Sequence, residues 1–324
     1  MPTRWGITVP LTGVPLPDHA TVFEVLADAG FTDVWSAEVS GTDAFTPLAL
    51  AAAWEPRLRL GTAIAPVFTR GPGLLAMTAA ALAETAPGRF ELGVGASSPV
   101  VVGDWNSVEF TEPYERTREM LRFLRAALAG EMISHDYGTF AVRRFRLERP
   151  PATPPPILLA ALRPGMLRLA AAEADGVILN WLSPADVPTV LAETAAASPG
   201  SFEVVARIFV CPTEDTGYAR TIGRRLLTTY LTVPAYAAFH QWLGREPVLA
   251  PMWRAWATGD RKGAVAAIPD AVVDDLMVHG SPRECRVRVR AYADAGVDVP
   301  VMALVPPPDL TPDALPALLT ALSP

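Results

Sequence analysis

The stretch Arg59–Ser98, RLGTAIAPVFTRGPGLLAMTAAALAETAPGRFELGVGASS, decides the fold of this chain. An apolar run, Leu58–Ile64, reads as a strand. Pro72 then opens an alanine-rich helix over Gly73–Thr85, which Pro87-Gly88 stops. Phe90–Gly95 reads as a second apolar strand ending in glycines. A strand, a crossover helix and a strand make a βαβ unit, whose two strands lie parallel. Ligands of parallel α/β proteins bind beyond the carboxyl ends of the strands, here at Gly93, Gly95, Ala96, Ser97 and Ser98. Residues this small are expected to leave space for a planar ligand, although glycine also serves any tight turn.

Outward from this unit, strand and helix signals keep alternating. Trp5–Val9, Thr32–Ala37, Ile157–Ala161, Gly176–Asn180, Glu203–Val210 and Val299–Val305 read as further strands. Helices are expected at Asp18–Ala29, Phe45–Trp54 and Pro113–Leu128, and from Pro164, Pro184 and Glu284. Gly30 supplies a left-handed stop for the first helix. Ala96–Glu112 reads as a long loop, Gly130–Pro156 as an aperiodic excursion, and Ala271–Asp275 as a possible continuation of the strand pattern. Eight strands in alternation with helices predict an α/β fold of the (β/α)8 TIM-barrel type rather than a doubly wound sheet. Residues 217–268 form a largely helical insertion late in the barrel. No composition shift marks a linker, so residues 1–324 are expected to form one domain.

The chain has 324 residues, half of them hydrophobic, and a formal net charge of −7. A large core is therefore feasible, while a nucleic-acid or anionic-membrane partner is disfavoured. No apolar run is long enough to span a bilayer. The start runs directly into a strand, so a cytoplasmic protein is expected. Cys211 and Cys285 read as buried core rather than as a disulfide. The four histidines have no ligand spacing, which argues against a metal site.

Arg163-Pro164-Gly165-Met166 follows the apolar strand Ile157–Ala161 and opens a helix. Free amide N–H groups at such a start attract an anion, and Gly165 would let it approach. The same pattern also fits an ordinary turn whose arginine faces water. Glu38 emerges at the end of the second strand, either as a functional carboxylate or as a rim or capping group. Trp105, Asn106, Asn180 and Trp181 could line the mouth, with Trp5 a weaker candidate, since tryptophans equally fill cores. Alternation points Glu91 into the barrel, where a buried carboxylate needs a partner; Arg59 is the candidate.

The segments GTAIAP, TRGP and PGRFELGVG resemble the bacterial luciferase-like superfamily. SSPVVVGDWNSVEF, PYERTREMLRFLRAALAGE, PPPILLAALRPGMLRLAAAEADGVILNW and VHGSPRECRVRVRAYADAGVDVPVMAL extend the likeness to its coenzyme F420-dependent branch. That resemblance implies a luciferase-like barrel that transfers a hydride between the deazaflavin C5 and a small organic substrate. It implies a non-prolyl cis peptide at Ala63-Ile64 behind the cofactor ring. It also implies ring contacts at Gly93–Ser98 and a phosphate held around Ala161, Leu162, Arg163, Gly165 and Met166. Glu38 is the first candidate for proton handling, but the histidine that often follows it in the family is replaced by Val39. The alternatives are an FMN-dependent monooxygenase served by a partner reductase, and a non-catalytic cofactor-binding or structural homologue. A homodimer is expected because dimers are common in the family.

Overall fold

The computed structural model describes residues 4–195 and 202–324. Among them, eight parallel strands close into a barrel: β1 (Gly6–Thr8), β2 (Asp33–Ser36), β3 (Arg59–Thr62), β4 (Phe90–Gly95), β5 (Ile157–Ala160), β6 (Gly176–Asn180), β7 (Glu203–Cys211) and β8 (Val299–Leu304). Each pairs with its successor, and β8 returns to β1 through Gly6↔Val301. The expected TIM barrel is the observed one. Apolar residues on the outer strand faces pack against the surrounding helices in one large core.

The barrel interior is built in layers by the period of two along each strand. The middle layer is apolar: Trp35, Leu158, Ile178, Val205, Val299 and Val301 form one cluster, with Ala63, Ile64 and Ala160 packed against it. The Trp35 indole lies where side chains from β1 and β3 would otherwise sit. A Cβ on Gly61 would fall 2.3 Å from that ring, and one on Gly6 2.9 Å from it. Both glycines are therefore volume partners of one tryptophan.

The bottom layer, at the amino-terminal ends of the strands, is charged. Arg4 reaches Asp33, Glu91 and Glu203, while Arg59 reaches the Glu91 carboxylate at 2.7 Å. Arg59 is thus the partner expected for Glu91, and Arg4 joins it. Burial, reinforced by the nearby Glu91 carboxylate, pushes Glu203 up to about 7, although Arg4 opposes the shift.

Three local expectations change. Ala271–Asp275 lies within a helix, Asp270–Leu276, and the extended pair beside β7 is Val278–His279. Its apolar residues Val272, Val273 and Leu276 fall at helical spacing and pack beneath the insertion. The excursion after Gly130 holds an antiparallel hairpin, Ile133–Asp136 with Ala141–Phe145, turned at Gly138 with φ +93°. Its mostly exposed residues give no alternation of apolar and polar to read. The loop after β4 contains a wide helical turn, Val100–Asp104.

Between β7 and β8 the chain forms the helices Thr216–Leu231, Pro234–Trp242, Glu246–Ala257, Arg261–Ala266 and Asp270–Leu276 of the insertion, then Pro282–Asp294. Leu227, Leu231, Met252 and Met277 pack with Trp181, Phe209 and Ala303 from the ends of β6, β7 and β8. The insertion therefore covers that side of the barrel mouth through a core shared with the strands.

Candidate functional site

The carboxyl ends of the strands form a mouth with a small-residue floor. The Ala63–Ile64 peptide is cis, as the resemblance implied. The chain then pairs Ala65–Pro66 with Val94–Gly95 of β4. Ile64 and Ala160 flank Gly95: a Cβ there would lie 3.0 Å from the Ala160 methyl and 3.5 Å from Ile64. Gly95, Ile64, Ala63 and Ala160 thus make a low apolar surface at the centre of the mouth.

Gly93 has a different reason to be glycine than an open cofactor face. A Cβ there would fall 1.8 Å from the Thr62 carbonyl oxygen and 2.4 Å from Ile178. The Thr62 hydroxyl accepts from the Gly93 N–H at 2.8 Å and donates to the Gly93 carbonyl at 2.7 Å. Gly93 is fixed by the close approach of β3 to β4, one layer below the floor. Beyond it, Ala96, Ser97 and Ser98 are half-buried at the exit of β4. Ser97 has φ +66°, and the Ser98 hydroxyl accepts from the Val101 N–H at 3.3 Å.

Beside this turn, at the exit of β5, the helix Pro164–Glu173 begins. Arg163 is its extended N-cap and contributes no side-chain capping bond; Pro164 occupies the first turn. The first-turn amides of Gly165 and Met166 have no internal acceptor, because helix geometry leaves them without one. A Cβ on Gly165 would meet nothing within 4 Å. Arg163 is exposed and forms no ion pair among the described residues. Ala161, Leu162 and Met166 pack into the core and hold the helix start in place. Open amides, a neighbouring cation and clear space fit a phosphate, while the adjacent floor fits a flat ring.

Glu38 stands at the mouth, but its carboxylate is occupied. Arg70 donates to it at 2.7 Å and the Ala44 N–H at 3.1 Å. Glu38 ties the loop after β2 to the loop after β3, which is the geometry of an anchor. These loops, with Val101 and Asn106, enclose a cavity of about 300 Å3. The exposed Asn106 donates to the Val101 carbonyl at 2.7 Å, and neighbouring Trp105 is 52% exposed on the rim. A larger hollow of about 650 Å3 lies outside the barrel near the starts of β6 and β7. Both of its arginines are already matched, in the pairs Arg122–Glu173 and Arg125–Asp175, so the mouth is the better site for an anion.

Two tryptophans lie elsewhere than expected. Trp181 is 1% exposed and stacks on Phe209 with ring centres 4.0 Å apart, so it backs the mouth without lining it. Trp5 is buried outside the barrel, with the Arg290 guanidinium 5.8 Å from its ring centre. Asn180, by contrast, is at the mouth, where its amide donates to the Tyr236 hydroxyl at 2.9 Å.

Sequence reasoning missed Arg207. Val205 belongs to the interior cluster, and Arg207 is two residues further along the same face of β7. Its guanidinium reaches past β8 towards Thr8 of β1, with Nε 3.5 Å from the hydroxyl, and lies 3.4 Å from the Tyr230 hydroxyl. The period-two reading of Glu203–Val210 held the signal: a charged residue at an interior position near a strand end.

This is a parallel barrel with an anion-ready helix start and a small-residue floor at its mouth, the general design of a barrel enzyme. A luciferase-like monooxygenase family model matches residues 3–299, and the chain belongs to that family. A Mycobacterium tuberculosis protein provisionally named as a coenzyme F420-dependent oxidoreductase is 30% identical, over 89% of this chain and 91% of that one. The fold is similar to that of an F420-dependent secondary alcohol dehydrogenase in complex with an F420-acetone adduct. That likeness has a TM-score of 0.79 and 16% identity, with 99% of each chain covered. It is also similar to the oxygenating constituent of 3,6-diketocamphane monooxygenase from Pseudomonas putida, in complex with FMN. Here the TM-score is 0.65 with 16% identity, over all of this chain and 97% of that one. Among the described residues, no helix is long and apolar enough to cross a membrane.

Proposed function

We propose that this protein is a coenzyme F420-dependent oxidoreductase acting on a small organic substrate. The observation that carries this reading is the open start of the helix Pro164–Glu173 beside the Ile64–Gly95–Ala160 floor. A phosphate at the Gly165 and Met166 amides, with Arg163 alongside, would direct an attached ring across that floor. The relative named for F420 supports the deazaflavin over other rings. Coenzyme F420, when bound, supplies a hydride donor or acceptor at its deazaflavin C5, so the protein's part is binding, orientation and exclusion of water. Ala63, Ile64 and Gly95 would support the ring, and Ala96, Ser97 and Ser98 its edge. Trp105 and Asn106 form the outer rim, while the insertion closes the side above β6–β8. The Arg70–Glu38 pair would hold the two rim loops in register.

The second reading is an FMN-dependent monooxygenase, favoured by the FMN-bound neighbour of the same fold. We take residues 1–324 as one domain and the protein as a homodimer. Titration of the purified apo-protein with F420 and, separately, with FMN decides between the cofactors. Tight uptake of F420 alone is expected, with Arg163→Gln weakening it about tenfold through the loss of one charge-assisted contact. Preference for FMN would replace the proposal by the monooxygenase reading. Uptake of neither would leave a barrel homologue without the chemistry.

A further inference from the structure

Arg207 is an inward-facing arginine without an acid among the described residues. Most arginines of this protein that turn towards its interior or its loops are matched: Arg4 with Asp33, Arg59 with Glu91, Arg70 with Glu38, Arg245 with Asp186. Arg207 is half-buried, and among the described residues no carboxylate lies within ion-pair distance of it. Its two contacts are neutral hydroxyls at 3.4 and 3.5 Å, both long for a charged donor. The guanidinium instead sits over the Phe209 ring, 4.6 Å from its centre. Stacking on an aromatic face leaves the five N–H donors in their plane, free to face a planar acceptor.

The surroundings point the same way. Asn180 is the register partner of Arg207 on β6, so the two project from neighbouring strands on the same interior face. One end of its amide is engaged by Tyr236, while the other is buried and has no partner. Tyr230 accepts from Arg207, which leaves the phenol proton to donate. A fork of donors, a phenol and a half-used amide thus converge at the mouth, beneath the helices Thr216–Leu231 and Pro234–Trp242. A buried acceptor without a partner costs stability, so an arrangement that leaves the Asn180 carbonyl oxygen open beside an arginine without an acid fits a ligand that completes both. In the closed barrel β7 lies across the mouth from β3, and hence from the floor that ends in Ile64.

We propose that Arg207, with Tyr230 and Asn180, is the receptor for the substrate, and that the substrate is a small carboxylate carrying a neighbouring hydroxyl. The carboxylate lies in the plane of the guanidinium, and the hydroxyl meets the free end of the Asn180 amide. The word substrate rests on the oxidoreductase reading above; binding of the anion does not.

The test uses the full-length apo-protein and two probes of one shape, mandelate and its neutral amide, mandelamide, titrated by calorimetry. Wild-type protein is expected to prefer mandelate at least tenfold, and Arg207→Met to abolish the preference. Arg207→Lys should recover only part of it, because a point charge does not reproduce the fork. F420 affinity should stay within twofold in both variants, and thermal melting checks that they fold. A tenfold loss of F420 affinity in Arg207→Met, with no mandelate preference in wild type, would overturn the proposal and give the arginine to the cofactor ring. Equal behaviour of wild type and Arg207→Met towards all three ligands would overturn it too, leaving a structural arginine. Failure of wild type to take up F420 while still preferring mandelate would sink the cofactor reading and support the receptor.

Discussion

At the bottom of the barrel, Arg4 and Arg59 share Asp33, Glu91 and Glu203 among themselves; at the top, Arg207 pairs with no acid among the described residues. Both layers sit on the same strands, and on β7 they are four residues apart. The middle layer around Trp35 separates them. At the bottom each charged side chain meets an opposite charge, so the layer closes the barrel, although Arg59 Nε and Glu91 Oε2 stay without a hydrogen-bond partner. At the top the floor is small, the helix start at Pro164 is uncapped, and the arginine is left with weak hydroxyl contacts. Self-matched polar groups make a scaffold, while unmatched ones in a concave mouth make a site.

The largest expected effect attacks the bottom layer. Arg4→Met removes the residue shared by three carboxylates: Asp33, 1% exposed, loses its main cation, and the equally buried Glu91 is left to Arg59 alone. A loss of about 3–5 kcal/mol in denaturant unfolding at pH 7 is expected. The loss should shrink as pH falls, because stranded carboxylates can then protonate. If Arg4→Met costs under about 1 kcal/mol, the bottom layer is not a scaffold and the contrast collapses.

Gly93→Ala comes next. Its methyl would meet the Thr62 carbonyl oxygen, so a loss of about 3 kcal/mol or failure to fold is expected. Gly165→Ala, with open space at the same atom, should leave the melting temperature unchanged while weakening uptake of a phosphate-bearing ligand. Equal melting temperatures for the two variants would remove the distinction between strand packing and ligand approach.

Thr62→Val keeps the shape but removes the hydroxyl that serves both the N–H and the carbonyl of Gly93. About 1–3 kcal/mol should be lost, since two buried backbone groups lose that partner.

Glu203→Gln sharpens the picture through pH. A carboxyl raised in the folded state binds protons that the unfolded chain has released, so its ionisation costs stability as pH climbs from about 4.3 towards 7. The variant escapes that cost. Its melting temperature relative to wild type should therefore rise between pH 5 and pH 8, and a gap that narrows over this range would reverse the assignment. The smallest expected effect is at the top: Arg207→Met should change stability by less than about 1 kcal/mol, because no charge is left stranded.

Much of the fold was legible in the chain. The alternation of strand and helix signals gave all eight barrel strands to within a few residues, and Glu91 with Arg59 was readable from period two. The hairpin at Ile133–Phe145 was not, because its residues are exposed and carry no apolar pattern. The helix start at Arg163–Met166 was legible because proline and glycine there have local meanings. Trp181 and Trp5 were not, since a tryptophan's type does not reveal which side of a strand end it fills. Glu38 was found as a mouth residue, but Arg70, thirty-two residues away in sequence, decides what its carboxylate touches.

The sequence by itself determined the parallel barrel and the position of an anion-ready helix start, because these rest on local periodicity and turn chemistry, and its family through the resemblance of its segments. Only the tertiary structure decided which charges are spent on one another and which stay open. Ion pairing depends on distances between strands far apart in the chain, and no spacing along a single strand encodes them. Glu203 and Arg207 are alike in the sequence as charged residues on one face of one strand. Closure of the barrel brings Arg4 to the first and, among the described residues, no acid to the second.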